Sequence, residues 1–133
     1  MYTKSVGESL AEFQSAFNCP QNVPFLLYDR NYWTSQNPKL LVLRKNLIEE
    51  ETNELIEAIA IGDKADILKE LVDVVVVCVG MADTYGWDFD TAFKRVHESN
   101  MSKLDMNGKP IYREDGKVFK SKNYVPPDLS DLV

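Results

Sequence analysis

The chain has 133 residues, 44% of them apolar, and a formal net charge of −6. That is enough for one domain with a core and little more. The acidity argues against broad, charge-driven nucleic-acid binding. It is compatible with a protein that gathers divalent cations. Two distant cysteines, Cys19 and Cys78, form no CxxC pattern, so no disulfide framework is expected. The single histidine, His97, excludes most zinc sites and the paired-histidine di-iron bundles, and it reads as a surface or packing residue. The N-terminus lacks the apolar stretch of a signal peptide, and the longest apolar run, residues 74–81, is too short to span a bilayer. A cytoplasmic protein without membrane or nucleic-acid partners is expected.

Residues 6–17 place Val6, Leu10, Phe13 and Phe17 at spacings that mark one helical face. The prolines and asparagines of NCPQNVPF then break the helix. Residues 27–37 read as a polar and aromatic loop, with Tyr32 and Trp33 available to pack on the core or stack on a base. Asn37 is a candidate cap and Pro38 suits the first turn of a helix over about 38–61. Gly62 ends it, and the short link GDKAD leads into a helix over about 65–85. The run LVDVVVVCV is rich in β-branched residues, which favour strands. Yet the pattern continues for about twenty residues without a turn signal, far beyond a usual strand. A helix apolar nearly all round is therefore expected, with Cys78 as a small core residue.

Asp88 or Asp90 can cap a fourth helix over about 89–104, on which Phe93, like the preceding Trp87, reads as core. Asn107-Gly108 marks a turn. Asp115-Gly116 between short alternating segments predicts a two-residue hairpin. The expected architecture is all-α: an antiparallel helical bundle completed by oligomerisation, with a short C-terminal β-hairpin tail. It forms one domain over 1–133, with a helical core at about 5–104 and the tail at 105–133.

The stretch NLIEEETNELIEAI carries five glutamates among leucines and isoleucines. Each helical residue turns by about 100°. With Glu50 at zero, the apolar stripe of Leu40, Leu43, Leu47, Leu55 and Ala58 centres near about 90°. Glu51 falls at about 100°, inside the stripe, and Glu54 at about 40°, within its edge. Glu50 sits at the border, Glu57 just past it, and Glu49 well outside. On the next helix Glu70 is ringed by Ile67, Val74, Val77 and Met81, and Asp73 lies beside it. Two consecutive helices thus each carry a pair of acids at i, i+3 spacing on or beside apolar surface.

A buried unpaired carboxylate costs several kcal/mol or is forced neutral. Lys45, Lys64 and Lys69 are the nearby bases that could pair with such acids. Divalent cations resolve four converging acids more economically, and all-oxygen ligands suit Mg²⁺ or Mn²⁺. More than one ion is expected.

Glu51-Thr-Asn-Glu54 and Glu70-Leu-Val-Asp73, with fifteen residues between them, resemble the signature of the MazG-like, all-α nucleoside triphosphate pyrophosphohydrolases. Glu50-Glu51-Thr-Asn-Glu54-Leu55 gives its fuller form, and Asn100-Met-Ser-Lys103 resembles the downstream Asn-x-x-Lys. The tail NGKPIYREDGKV looks like the phosphoribosyl-ATP pyrophosphohydrolase-like branch. The resemblance implies hydrolysis between the α- and β-phosphates, to a monophosphate and pyrophosphate. Glu51, Glu54, Glu70 and Asp73 would hold Mg²⁺, and Glu50 or Glu54, or Glu51 itself, would serve the catalytic step. Asn100 and Lys103 would hold phosphate. Arg44, at about 120° on the glutamate helix, points inward and would join them.

A purine deoxynucleotide such as dGTP is the working expectation for the substrate. The alternatives are a phosphoribosyl-ATP or dUTP hydrolase, and a non-catalytic helical oligomer that binds nucleotide or metal. Four helices with so much apolar surface predict a homodimer or homotetramer, which the resemblance also implies.

Overall fold

The structure, a computed structural model, describes residues 1–25 and 36–133, with side chains from 39 in the second segment. The expected loop lies outside the described residues up to 35, and Tyr32 and Trp33 with it. Four helices and one two-stranded antiparallel sheet make up the described fold: α1 (Val6–Ala16), α2 (Gln36–Ile61), α3 (Lys64–Thr84), α4 (Phe89–Met101), β1 (Ile111–Tyr112) and β2 (Val118–Phe119). The chain groups into two units, Met1–Trp87 and Asp88–Val133.

In the first unit α3 packs against both α1 and α2. Ser5 caps α1 by accepting the Glu8 amide at 3.0 Å. The buried residues of α1 are Leu10 and Gln14, whereas Val6, Phe13 and Phe17 are exposed. The expected face is thus rotated. Gln14 turns inward because it donates to the Gly80 carbonyl of α3 at 3.1 Å and to Asp83 Oδ2 at 3.0 Å.

α2 begins at Gln36, so Asn37 lies within the helix instead of capping it, and Pro38 falls in the first turn. Gly62 leaves α2 with φ +88° and its amide bonds back to the Ala58 carbonyl. Asp63 then caps α3 by accepting from the Asp66 amide. The link is only Gly62-Asp63, shorter than expected, and α3 runs back along α2.

α3 is a helix throughout, as length argued against its β-branched composition. It is not buried on most sides, however. Val79, Gly80, Ala82 and Thr84 are buried, but Leu68, Leu71, Val72 and Val75 are exposed and Cys78 is only half-buried. Within one chain, α1 and α2 do not cover this stripe. The segment after α1 docks on the end of α3, where the Val23 amide bonds to the Thr84 carbonyl at 2.8 Å. Phe25, Tyr85 and Trp87 cluster there, with centroids 5.0 to 5.4 Å apart.

In the second unit Asp88 caps α4 through the Thr91 amide. The helix stops at Met101, three residues short of expectation, because Ser102 closes its end onto the Glu98 and Ser99 carbonyls. Phe93 is exposed, not core. The tail folds back on α4. Ser99 Oγ donates to the Val125 carbonyl at 2.7 Å, and Ser121 Oγ to the Leu104 carbonyl at 2.7 Å. Arg95 grips both carboxylate oxygens of Asp131.

The hairpin forms with Ile111 opposite Phe119 and Tyr112 opposite Val118. Its loop is longer than the two residues expected. The Gly116 amide bonds to the Arg113 carbonyl, the Arg113 amide to the Lys117 carbonyl, and among these residues Gly116 alone has positive φ. A two-residue type I′ turn needs positive φ at both central residues and type II′ at the first, and Asp115 does not adopt it. The Asn107-Gly108 turn closes in the same way between Asp105 and Lys109. Among the described residues no helix is long and apolar enough to cross a membrane.

Candidate metal centre

The antiparallel pairing of α2 and α3 brings Glu51 opposite Glu70 and Asp73. One carboxylate oxygen from each lies within 4.8 Å of the others. Glu70 is buried, while Glu51 and Asp73 are half-buried. Glu51 Oε2 and Glu70 Oε2 are shut from solvent and accept no hydrogen bond among the described residues. Burial raises the Glu51 pKa above its ordinary value, and the charges of Glu54, Asp73 and Glu70 and a hydrogen bond to Glu54 raise it further.

Lys69 is the base that reaches these acids. Its ammonium lies 2.7 Å from Asp73 Oδ2 and 3.2 Å from Glu70 Oε1. Those bonds raise its pKa above the usual lysine value. It leaves the buried oxygens of Glu51 and Glu70 without a donor. Lys45 pairs instead with Glu49 across one turn.

The helical count therefore separates the five glutamates largely as expected. Glu51 faces the acids of α3, and Glu49, Glu50 and Glu57 are exposed. Glu54 is exposed too, yet its charge helps raise the Glu51 pKa. It borders the three-acid group without entering it.

Arg44 points inward, as the count expects, but meets different partners. It is buried two turns before Glu51, and its Nη2 reaches towards the Val77 carbonyl at 3.5 Å. A Cβ added at Gly80 would stand 2.1 Å from that Nη2 and 3.2 Å from Gln14 Oε1. Gly80 is thus the gap in α3 through which the guanidinium passes. Burial lowers the Arg44 pKa, against the opposing influence of Cys19, Tyr85 and Asp83. Gln14, Gln21, Asp83 and Thr84 complete this polar node. The glycine inside an otherwise apolar helix was its one signal in the sequence.

Asn100 and Lys103 belong to the second unit. Lys103 Nζ donates to Asn100 Oδ1 at 3.1 Å. His97 is exposed.

These features define an all-α protein whose two longest helices share a carboxylate cluster of oxygen donors. The chain belongs to the phosphoribosyl-ATP pyrophosphohydrolase family, whose model matches residues 10–100, within the MazG-like all-α superfamily. That span contains Glu51, Glu54, Glu70, Asp73 and Asn100, and Lys103 lies just beyond it. The chain is also similar to an uncharacterized protein of Acanthamoeba polyphaga mimivirus, 26% identical over 114 residues. The match covers 86% of this chain and 41% of that protein, so the chain spans about two fifths of the length of the curated relative it matches.

Proposed function

We propose that the chain hydrolyses a nucleoside triphosphate between its α- and β-phosphates, releasing a monophosphate and pyrophosphate in a divalent-cation-dependent reaction. The observation that carries this reading is the pair of buried carboxylate oxygens, Glu51 Oε2 and Glu70 Oε2, that lack any donor beside Asp73. Such oxygens fit a hard cation, because no proton donor among the described residues reaches them and all the ligand atoms are oxygen. Glu51, Glu70 and Asp73 would hold Mg²⁺ or Mn²⁺, with Glu54 available from the rim for a second ion. Bound there, the metal supplies charge neutralisation for the phosphates and a more acidic water. Glu54 or Glu50, both exposed, would accept a proton from the attacking water. Asn100 and Lys103 would hold phosphate, the role that the family resemblance implies for them. Arg44 is better suited to fastening α2 onto α3 than to touching phosphate.

The protein would work as a homodimer or homotetramer. Support comes from the uncovered stripe Leu68, Leu71, Val72 and Val75 on α3, beside exposed Val6 and Phe13 on α1. A groove of about 400 Å³ runs between these two helices. Light scattering on Leu71→Glu should give half the wild-type mass or less. A monomeric wild type overturns the assembly.

The activity is tested with Mg²⁺ or Mn²⁺ and a panel of ribo- and deoxynucleoside triphosphates, including dGTP, dUTP and phosphoribosyl-ATP. Pyrophosphate release from one of them is expected. Saturable binding of nucleotide without turnover across the panel would replace the hydrolase by a nucleotide-binding oligomer.

A further inference from the structure

The chain is acidic as a whole, yet between residues 103 and 122 six basic side chains face three acidic ones. Two of the six are set apart by position. Lys103 Nζ lies 6.0 Å from the centroid of the Tyr124 ring, and Lys120 Nζ lies 4.6 Å from it. Neither lysine reaches a carboxylate among the described residues, although Lys69, Lys94, Arg95 and Arg113 all do.

This convergence is built by the backbone. Ser121, between the second lysine and the ring, donates to the Ser102 and Leu104 carbonyls. Beyond the ring, the Val125 amide donates to Ser102 Oγ and the Val125 carbonyl accepts from Ser99 Oγ. Hydrogen bonds on both sides thus hold Lys120 and Tyr124 against the end of α4, where Asn100 and Lys103 sit.

An ammonium placed over a ring is held by the ring's quadrupole and keeps its N–H donors for oxygen acceptors. Lys103 gives one donor to Asn100 Oδ1. Two cations drawn to one ring repel each other, and an anion between them removes that repulsion. The donors left over match the several oxygens of a phosphate group.

We propose that Lys103, Lys120, Asn100 and Tyr124 form a phosphate-binding subsite that takes a pyrophosphate-like dianionic group, with Lys120 and Tyr124 as its tail-borne half. It extends the phosphate role already proposed for Asn100 and Lys103, and rests on that reading for its place in the reaction. Lys120 supplies a second point charge, and Tyr124 orients both ammonium groups.

The test uses the full chain without divalent cations, titrated with inorganic pyrophosphate and followed by the amide resonances of residues 120–124. Without metal the acidic cluster repels the probe, so binding reports the basic segment 103–122 alone. Saturable shifts are expected. Lys120→Gln should weaken binding by about three- to fivefold, the scale of one exposed charge contact. Tyr124→Phe should bind as the wild type does, Tyr124→Leu should weaken binding, and Lys109→Gln should have no effect. Absence of saturable shifts, or equal weakening by Lys120→Gln and Lys109→Gln, overturns the subsite. If pyrophosphate binds but no triphosphate is turned over with Mg²⁺, the subsite stands and the proposed activity falls. If triphosphate is turned over without pyrophosphate binding, the reverse holds.

Discussion

The two ends of the α2–α3 seam both bury charge, and they do so with opposite results. Towards the N-terminus of α3, Glu51, Glu70 and Asp73 gather with two buried oxygens lacking donors. Two turns on, Arg44 is equally buried but lies in a dense polar node made by Gln14, Gln21, Asp83 and Thr84 around Gly80. Its Nη2 reaches the Val77 carbonyl, while its buried Nε has no partner among the described residues. The first end is a cluster of converging carboxylates with unpaired oxygens. The second is a polar fastening of α1 and α2 onto α3. Burial of charge alone does not mark a site; the converging unpaired acceptors do.

The sharpest way to break this contrast is to remove charge at the acidic end. Glu70→Gln should lower turnover on the order of a hundredfold or more, since loss of a metal ligand forfeits several kcal/mol of transition-state stabilisation. Thermal unfolding in EDTA should show unchanged or raised stability, because like-charge repulsion is relieved. A variant that keeps activity, or that collapses in EDTA, would make Glu70 a structural residue.

At the other end the expectation reverses. Gly80→Ala forces the Arg44 guanidinium out of its slot and should cost about 1–3 kcal/mol, the range for overpacking a core. In an Arg44→Ala background the same change should stabilise by up to about 1 kcal/mol, the helix preference of alanine over glycine. Denaturant melts of the four proteins read this sign change. If Gly80→Ala has the same sign in both backgrounds, the guanidinium does not need the gap.

Lys69 tests how much of the acidic end is already neutralised. Its side chain is 62% exposed, so solvent screens its bonds to Asp73 and Glu70. Lys69→Met should tighten Mg²⁺ binding by about fivefold or less by calorimetry, because a competing cation is gone. Weaker binding would instead make the lysine a support for the ligands.

The smallest effect is on pH dependence. The folded state binds a proton at Glu51 more tightly than the unfolded state, because burial and neighbouring acids raise its pKa above 4.5. The sign follows from linkage: this contribution to stability is complete below about pH 4.5 and is lost as pH rises through the raised value. In EDTA, the Tm difference between wild type and Glu51→Gln should therefore widen from pH 4.5 towards neutrality. A constant difference would remove the pKa shift.

Periodicity served the acidic end well, because one angular count decides which carboxylate faces a neighbouring helix. It placed Glu51 inside and Glu49 outside, and the absence of turn signals kept the valine run helical. It served the other end poorly. The count turns Arg44 inward, but the groups around it lie 30 to 40 residues away in sequence, on α1 and α3. Gln14 was hidden on a helix whose aromatic residues suggested a different face. Glu54 shows the margin of the method: an edge position fell exposed, touching the cluster without joining it. The hairpin loop turned on the φ of one residue, Asp115, which composition does not reveal.

The aromatic trio beside the second end gives the molecule its own optical reporter. Trp87 is one of two tryptophans, and its ring lies 5.3 Å from Tyr85, whose buried hydroxyl belongs to the surroundings of Arg44. Rings held this close and asymmetrically give near-ultraviolet circular dichroism and pass excitation from tyrosine to tryptophan. Loosening of the fastening around Gly80 therefore carries a spectral signature, readable without a label, while chemistry at the carboxylates leaves these chromophores in place.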